Sequence, residues 1–366
     1  MNNIVIINNE CFRDTDIPLA KLLEKRYIID YYIILDRNSK IRKEEIISYI
    51  GGSENITVHF INGKYRRRDI RYFLLMSSVL KKINKKSPKC LLTGIKDDIF
   101  CNFLLPLLFK DKILYLLHDA QRHPSNALSL VNKIGELLDK LMLASCKRFL
   151  LFSAEQYSLF HESYPSKRAT YIPKPIHDYG ESKIDKPNIE KECNFLFLGR
   201  IDYYKGLDIL IDAIEALKGS GQRKMKLSIY GTAANEEWRK HIKDKNIYNL
   251  QIRFFDDSEI PDIFSSHHFL IQPYRQVTQS GPFSIALSYG LPVIASNIGI
   301  FSHLISNGNN GFLFEKESIN ELRQCLEQCL HLNMAEYSIL SKNVIKTKES
   351  LYNEKQMVSK VVDLIE

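Results

Sequence analysis

An apolar run, Phe195-Leu196-Phe197-Leu198, leads directly into Gly199-Arg200 and, five residues later, into Lys205-Gly206 ahead of a helical pattern. Glycine lets a ligand come close to the backbone, arginine can bond two oxygens of one phosphate, and lysine adds a point charge. Placed before a helix N-terminus, the three suit a diphosphate; the bland alternative is a solvated basic loop. A second group, Thr278-Gln279-Ser280-Gly281-Pro282-Phe283-Ser284, follows the apolar run Phe269-Leu270-Ile271-Gln272. Ser280 reads as an N-cap and Pro282 as a first-turn residue, so the amides there favour an anion, although any capped helix would look similar. A third, His118-Asp119-Ala120-Gln121-Arg122-His123-Pro124, follows Ile113–Leu117. A histidine at that place can hydrogen-bond hydroxyls, carry a proton, or serve structure alone. Arg122 and His123 stay open.

Two sets of elements would position these groups. In the first, apolar strands are predicted at residues 4–7, 31–35, 90–93, 113–117 and 149–152, and helices at 17–25, 70–83 and 128–143. Continuous apolar strands between helices indicate a parallel sheet covered on both faces. Pro173 and Pro175 end the pattern, and residues 177–192 are polar. The alternation then resumes, with strands at 195–198, 226–230, 252–255, 269–272 and 292–295 and helices at 206–217, 236–245, 260–265 and 283–289. The expected class is α/β: two Rossmann-like, doubly wound domains facing across a cleft, with ligands at the carboxyl ends of the strands. The expected domains are residues 1–175 and 176–350, followed by a helix over 351–366.

A chain of 366 residues exceeds what one core usually holds. Its 45% hydrophobic and 26% charged residues are ordinary for a soluble protein. The seven scattered cysteines form no C-x2-C pair, which implies free, mostly buried thiols in a reducing compartment. The first residues lack a basic n-region, and no stretch approaches the ~20 apolar residues of a membrane span. The expectation is a cytoplasmic protein, neither secreted nor integral to a membrane. The net charge of +8 divides into +11 over residues 1–175 and −3 over 176–366. Residues 64–89 hold ten basic residues against one acid, Asp69. Arg66, Arg67, Arg68 and Arg71 precede or open a stretch with apolar residues on one side. That segment suits an anionic membrane surface or an acceptor carrying a lipid diphosphate; equally, it suits a solvated basic cap on a surface helix. Nucleic acid is the rival partner for such a patch, but no RNP, zinc-finger or helix-turn-helix signature is present, so none is expected.

The segment from Phe195 to Gly206, continuing Leu207-Asp208-Ile209-Leu210, resembles the phosphate-binding segment of retaining glycosyltransferases of family 4, which have the GT-B fold. Ser228-Ile229-Tyr230-Gly231, Ile252-Arg253-Phe254-Phe255, Ser288-Tyr289-Gly290-Leu291-Pro292 and Gly308-Asn309-Asn310-Gly311 resemble its further signatures in order. The resemblance is strong over residues 195–315 and weak before 110. It implies transfer of a sugar from a nucleoside diphosphate to an acceptor hydroxyl with retention, in bacterial surface polysaccharide assembly (O-antigen, capsule or exopolysaccharide). Arg200 and Lys205 would bind the diphosphate and steady the leaving group, and His118 would contact the transferred sugar. Gly199, Gly231, Phe254, Ser280, Gly281 and Pro282 would complete the donor site. The implied partners are a nucleotide sugar as substrate and a glycan or lipid-linked acceptor, with no cofactor and no metal. The resemblance also implies that the last helix returns to the N-terminal domain. Two departures stand out. Val277 and Ile285 occupy the places of the family's paired glutamates, in what looks like a Gln-Ser-Gly variant, and Asn8-Asn9-Glu10 replaces its N-terminal glycine pair. A GT-B sugar-nucleotide epimerase and a catalytically inactive homologue are the alternative readings.

Overall fold

Strands and helices alternate along almost the whole chain. The computed structural model describes all residues except 40, 97, 119–129, 218–222, 234 and 278. Asp119, Arg122, His123 and Thr278 therefore lie outside the described residues. The chain forms two compact units, Met1–Asp178 with Asn353–Glu366, and Tyr179–Tyr352.

The first unit contains β1 (Asn2–Asn9), α1 (Arg13–Leu23), β2 (Tyr27–Ile34), α2 (Lys43–Ile50), β3 (Ile56–Ile61), α3 (Ile70–Lys85), β4 (Cys90–Thr93), α4 (Ile99–Phe109), β5 (Ile113–Leu117), α5 (Leu130–Ser145), β6 (Arg148–Leu151), α6 (Ala154–Ser163) and β7 (Arg168–Tyr171). Its strands form a sheet in the order β3-β2-β1-β4-β5-β6-β7, every neighbouring pair parallel. Ile4 to Ile7 of β1 are fully buried, as a central strand covered on both faces requires. In α3, Tyr72, Met76, Leu80 and Ile83 recur at helical spacing and face the core.

The second unit contains β8 (Glu192–Leu198), α7 (Leu207–Ala216), β9 (Lys224–Tyr230), β10 (Tyr248–Gln251), α8 (Ile260–Ser265), β11 (Phe269–Gln272), α9 (Gly281–Ser288), β12 (Val293–Ser296), α10 (Gly299–Leu304), β13 (Gly311–Phe314), α11 (Ile319–His331) and α12 (Met334–Leu351). Its sheet runs β10-β9-β8-β11-β12-β13, again all parallel. Counted from β8 this is the 3-2-1-4-5-6 order of a doubly wound fold. The last helix, α13 (Glu354–Ile365), packs on the first unit. Met357, Val361, Leu364 and Ile365 are buried, and Arg148 donates to the carbonyls of Leu364 and Ile365 at 2.9 and 3.0 Å. Guanidinium donors at a helix C-terminus satisfy carbonyls that have no partner within the helix.

The two Rossmann-like sheets follow the hydrophobic pattern, with two corrections in the second unit. The strand expected at 252–255 lies at Tyr248–Gln251 instead. It pairs with β9 only as far as Tyr230, where β9 ends and Gly231 donates to the Gln251 carbonyl, so residues 252–255 have no strand left to pair with. The helix expected at 236–245 is a short 3-10 turn, Glu237–His241. Glu215 Oε1 accepts the amides of Lys243 and Asp244 at 3.0 and 3.2 Å and draws the chain off the helical path. Elements α2, β3, α4, α6 and β7 carried no clear signal. Helix α4, for example, is apolar on almost every side and holds Pro106 within it.

Candidate functional site

In the second unit the strand order reverses between β8 and β11, the place where an open parallel sheet leaves a crevice for a ligand. Both of the loops singled out in this half leave from it. The loop after β8 is shaped by glycines. Gly199 has φ +133° and Gly231 φ +139°. A Cβ on Gly231 would lie 1.9 Å from the Gly199 carbonyl oxygen, so the two backbones touch only because Gly231 has no side chain. Gly231 thus supports the loop from below. Gly206, at φ +65°, passes equally close to the Pro273 carbonyl and starts α7.

Between these glycines, Arg200 and Lys205 are placed very differently. Arg200 is an exposed side chain paired with Asp202 at 3.1 Å. Such a pair is weak and can reorient toward a ligand. Lys205 is 9% exposed. Its Nζ lies 3.7 Å from the ring centre of Tyr274 and 5.1 Å from that of Tyr204. Among the described residues no carboxylate pairs with Lys205 and no acceptor takes a hydrogen bond from it. Burial, aided by the nearby charge of Arg200, pulls its pKa down to about 7 against the opposing pull of Asp202.

At the second loop, Ser280 caps α9, its hydroxyl accepting the Phe283 amide at 3.3 Å, and Pro282 sits in the first turn. The Ser280 hydroxyl donates to Gln272 Oε1 at 2.8 Å, while the buried Nε2 of Gln272 has no hydrogen-bond partner among the described residues. A Cβ on Gly281 would meet nothing within 4 Å, so its backbone borders open space. Val277 and Ile285, in the places of the family's glutamates, pack partly buried against an apolar cluster with Phe283 and Phe301. Phe254 is 65% exposed on the loop after β10. Its neighbour Phe255 stacks on Tyr230, with ring centres 5.1 Å apart, beneath the Arg253 guanidinium.

Sequence reasoning missed the residue that ties these loops together. Arg275 grips both carboxylate oxygens of Asp208 at 2.9 and 2.7 Å, Glu317 at 2.9 Å and the Tyr203 carbonyl at 2.7 Å. Its own amide donates to the Tyr204 carbonyl at 2.7 Å, and its guanidinium lies 4.1 Å from the Tyr203 ring centre. All three guanidinium nitrogens are engaged, which fixes the Tyr203–Lys205 turn against the loop after β11. One arginine with partners 42 to 72 residues distant leaves no local pattern to find.

In the first unit the strand order reverses between β1 and β4. There Asn8 donates to the buried Asp16 at 2.8 Å, Tyr31 donates to the same carboxylate at 3.2 Å, and Asn8 Oδ1 accepts the Gly94 amide. Burial lifts Asp16 to about 7. His118, after β5, is stacked between Phe12 and Phe152, with ring centres 4.4 and 4.9 Å away. Burial, with Lys174 and Lys96 nearby, holds its pKa at about 3, so the ring is neutral near pH 7. A neutral imidazole there can donate one hydrogen bond and accept another from a hydroxyl but is not an acid near pH 7.

The four arginines of the basic segment divide. Arg71 is bound to Asp69, the cap of α3, at 2.6 Å, and Arg67 to Asp36 at 2.6 Å. Arg66 and Arg68 pair with no carboxylate among the described residues. The apolar stripe of α3 faces the core, leaving Ile70 and Leu74 exposed. Among the described residues no helix is long and apolar enough to cross a membrane.

A sheet pair of this order, with a cationic crevice at the strand reversal, defines a chain of the GT-B class. Residues 192–331 match the family model described as "Glycosyl transferases group 1". Over 146 residues the chain is 30% identical to an uncharacterized 41.2 kDa protein in the cps region of Klebsiella pneumoniae, a match covering 40% of this chain and 39% of that one. The match thus spans about two-fifths of that relative's length. The chain is also 26% identical over 291 residues to an uncharacterized glycosyltransferase of Methanocaldococcus jannaschii, covering 74% of each. The structure of Anabaena HepE in complex with UDP and glucose superposes with a TM-score of 0.73 over 99% of both chains at 13% identity, which shows the shared fold.

Proposed function

We propose that this protein is a glycosyltransferase that moves a sugar from a nucleoside diphosphate to an acceptor hydroxyl, with retention at the anomeric carbon. The observation that carries the reading is Lys205, an amine held nearly out of water against aromatic rings, with no carboxylate paired to it among the described residues. Burying a charge in this way costs stability unless a partner arrives. A diphosphate at the crevice would be that partner. Arg200 would swing from Asp202 to the phosphate oxygens, and the α9 amides with Ser280 would add donors. As the bond from the anomeric carbon to the phosphate oxygen breaks, negative charge grows on the leaving diphosphate, where these fixed donors count most. The acceptor oxygen bonds the same face of that carbon, and the leaving phosphate takes its proton. Neutral His118 would hydrogen-bond the transferred sugar. In this reading the reaction uses no cofactor beyond the nucleotide sugar and needs no metal.

The group 1 match, the cps-region relative and the UDP and glucose bound by HepE support this reading. They favour a place in surface polysaccharide assembly and a glycan or lipid-linked acceptor. Contact with an anionic membrane would rest on Ile70, Leu74 and the arginines before them, since the rest of the α3 stripe lies in the core.

The test is a thermal-shift screen against UDP, GDP, dTDP, ADP and CMP, repeated with Arg200→Ala. Saturation at about 100 times the dissociation constant adds roughly 2.7 kcal/mol of stability. A shift with one nucleoside diphosphate, reduced in the variant, is expected. No shift with any nucleotide would remove the donor site and leave an inactive homologue. Conversion of the matching nucleotide sugar without an acceptor would instead mark an epimerase.

A further inference from the structure

The first unit holds a cavity of about 220 Å³ at the carboxyl ends of β2 and β3, on the same edge of the sheet that carries His118. Arg37, Arg66 and Arg67 line it together with Tyr65, Tyr72 and Asp36. Its floor is apolar ring and backbone, and its charge is not balanced. Arg67 and Asp36 are bound to each other at 2.6 Å, and Asp36 is further fixed by its amide, which donates to Glu10 at 3.1 Å. Arg37 and Arg66 have no ion pair among the described residues. Arg71 stands apart, bound to Asp69 and lying over the outer Tyr65 ring at 4.8 Å. Two arginines without carboxylate partners among the described residues, both lining one concave site, suit an oxyanion that each can bond with two hydrogens.

We propose that this cavity binds a phosphate group of the acceptor. The inference rests on the glycosyltransferase reading for the word acceptor, but the site is defined by the first unit alone. Sheet geometry adds a size. From β2 to β5 there are three strand spacings, about 14 Å in all. An acceptor whose hydroxyl meets His118 while its phosphate lies in this cavity is therefore longer than a monosaccharide phosphate. A phosphate on a lipid carrier and one on a soluble oligosaccharide offer the same chemistry to the cavity.

Phenylglyoxal modification of the full chain, mapped by peptide mass spectrometry, reads each arginine separately. Inorganic pyrophosphate at about ten times its dissociation constant should slow modification of Arg37 and Arg66 roughly tenfold. Arg68, outside the cavity, should react as before. Equal rates at Arg37, Arg66 and Arg68 with and without pyrophosphate would overturn the proposal. Vesicles of phosphatidylcholine and phosphatidylglycerol give the contrasting arm. Protection of Arg66, Arg68 and Arg71 together by vesicles, with none from pyrophosphate, would show a flat membrane contact and also overturn it. Arg200, read in the same map against nucleoside diphosphates, reports on the donor site separately. Its failure to be protected would sink the donor reading without touching the cavity. Once pyrophosphate protects, lipid-linked and soluble oligosaccharide phosphates compared in the same assay identify the source.

Discussion

Each unit buries a charge-bearing side chain where its strand order reverses, Asp16 in the first and Lys205 in the second, and the two are treated in opposite ways. Asp16 in the first unit and Lys205 in the second are both brought to a pKa of about 7 by burial. Asp16 accepts hydrogen bonds from Asn8 and Tyr31 and so is complete within the fold. Lys205 lies against the faces of Tyr274 and Tyr204 and, among the described residues, makes no hydrogen bond or ion pair. A buried polar group with its hydrogen bonds satisfied is complete within the fold, whereas one left without them is a candidate to meet a ligand. Glycines shape both units: a Cβ on Gly206 or Gly231 in the second, or on Gly63 or Gly94 in the first, would meet backbone within 3 Å, and the first adds the side chains of Asn8, Thr93 and Asp16.

The comparison can be broken or sharpened by mutation. Gly231→Ala places a Cβ against the Gly199 carbonyl at a left-handed φ, and should cost about 3 kcal/mol or more in urea unfolding. A loss under 1 kcal/mol would show that the loop is not pinned from below. Arg275→Lys removes the two-point grip on Asp208. It should weaken binding of the cognate nucleoside diphosphate roughly tenfold, through about 1.5 kcal/mol, as measured by calorimetry. Arg323→Lys, at a surface pair with Glu327, should change nothing. If both variants bind alike, Arg275 does not position the loop.

The two titrating groups should give stability profiles of opposite slope. Asp16 is raised in the fold, so its contribution is complete below pH 4 and is lost as pH rises through 7. Asp16→Asn should flatten that part of the unfolding profile. Lys205 is lowered, so its penalty is complete below pH 7 and fades toward 10.5. Lys205→Met should reduce the rise in stability over pH 7 to 10, leaving the part that belongs to the buried Lys186 and Lys174. An unchanged profile in either variant would contradict the assigned group. The smallest effect on stability belongs to Gly281→Ala, within about 0.5 kcal/mol, because its Cβ would meet open space. Nucleotide affinity, by contrast, should fall, since that space is where a phosphate would approach the backbone.

Much of the second unit could be read in advance because its function sits in short segments. An apolar strand, a glycine and two cations within eleven residues, 195–205, point to one crevice without knowledge of the rest of the chain. The same local logic placed Ser280 as a cap and Pro282 in the first turn. It failed at residues 252–255, where β-forming side chains outlast the strand they would pair with, and at 236–245, where a distant glutamate takes the backbone amides. It also gave no sign that Lys205 is buried, because the rings that enclose it come from residue 204 and from residue 274. The first unit was less legible. Its helix α4 lacks a polar face, and the partners of Asp16 come from two separate strands, β1 and β2. The arginine cavity needs residue 37 beside 66 and 67, which no spacing reveals.

The central claim is that Lys205, held without a carboxylate partner among the described residues, receives a diphosphate. Calorimetric titration of the cognate nucleoside diphosphate into the wild type and into Lys205→Met tests it most directly. The account predicts that the variant is at least as stable as the wild type yet binds roughly tenfold to a hundredfold more weakly. It also predicts that wild-type binding takes up a proton near pH 8, seen as a dependence of the heat on the buffer, and that the variant does not. Equal affinity in the two proteins, or a variant that is destabilised and still binds with proton uptake, would contradict it.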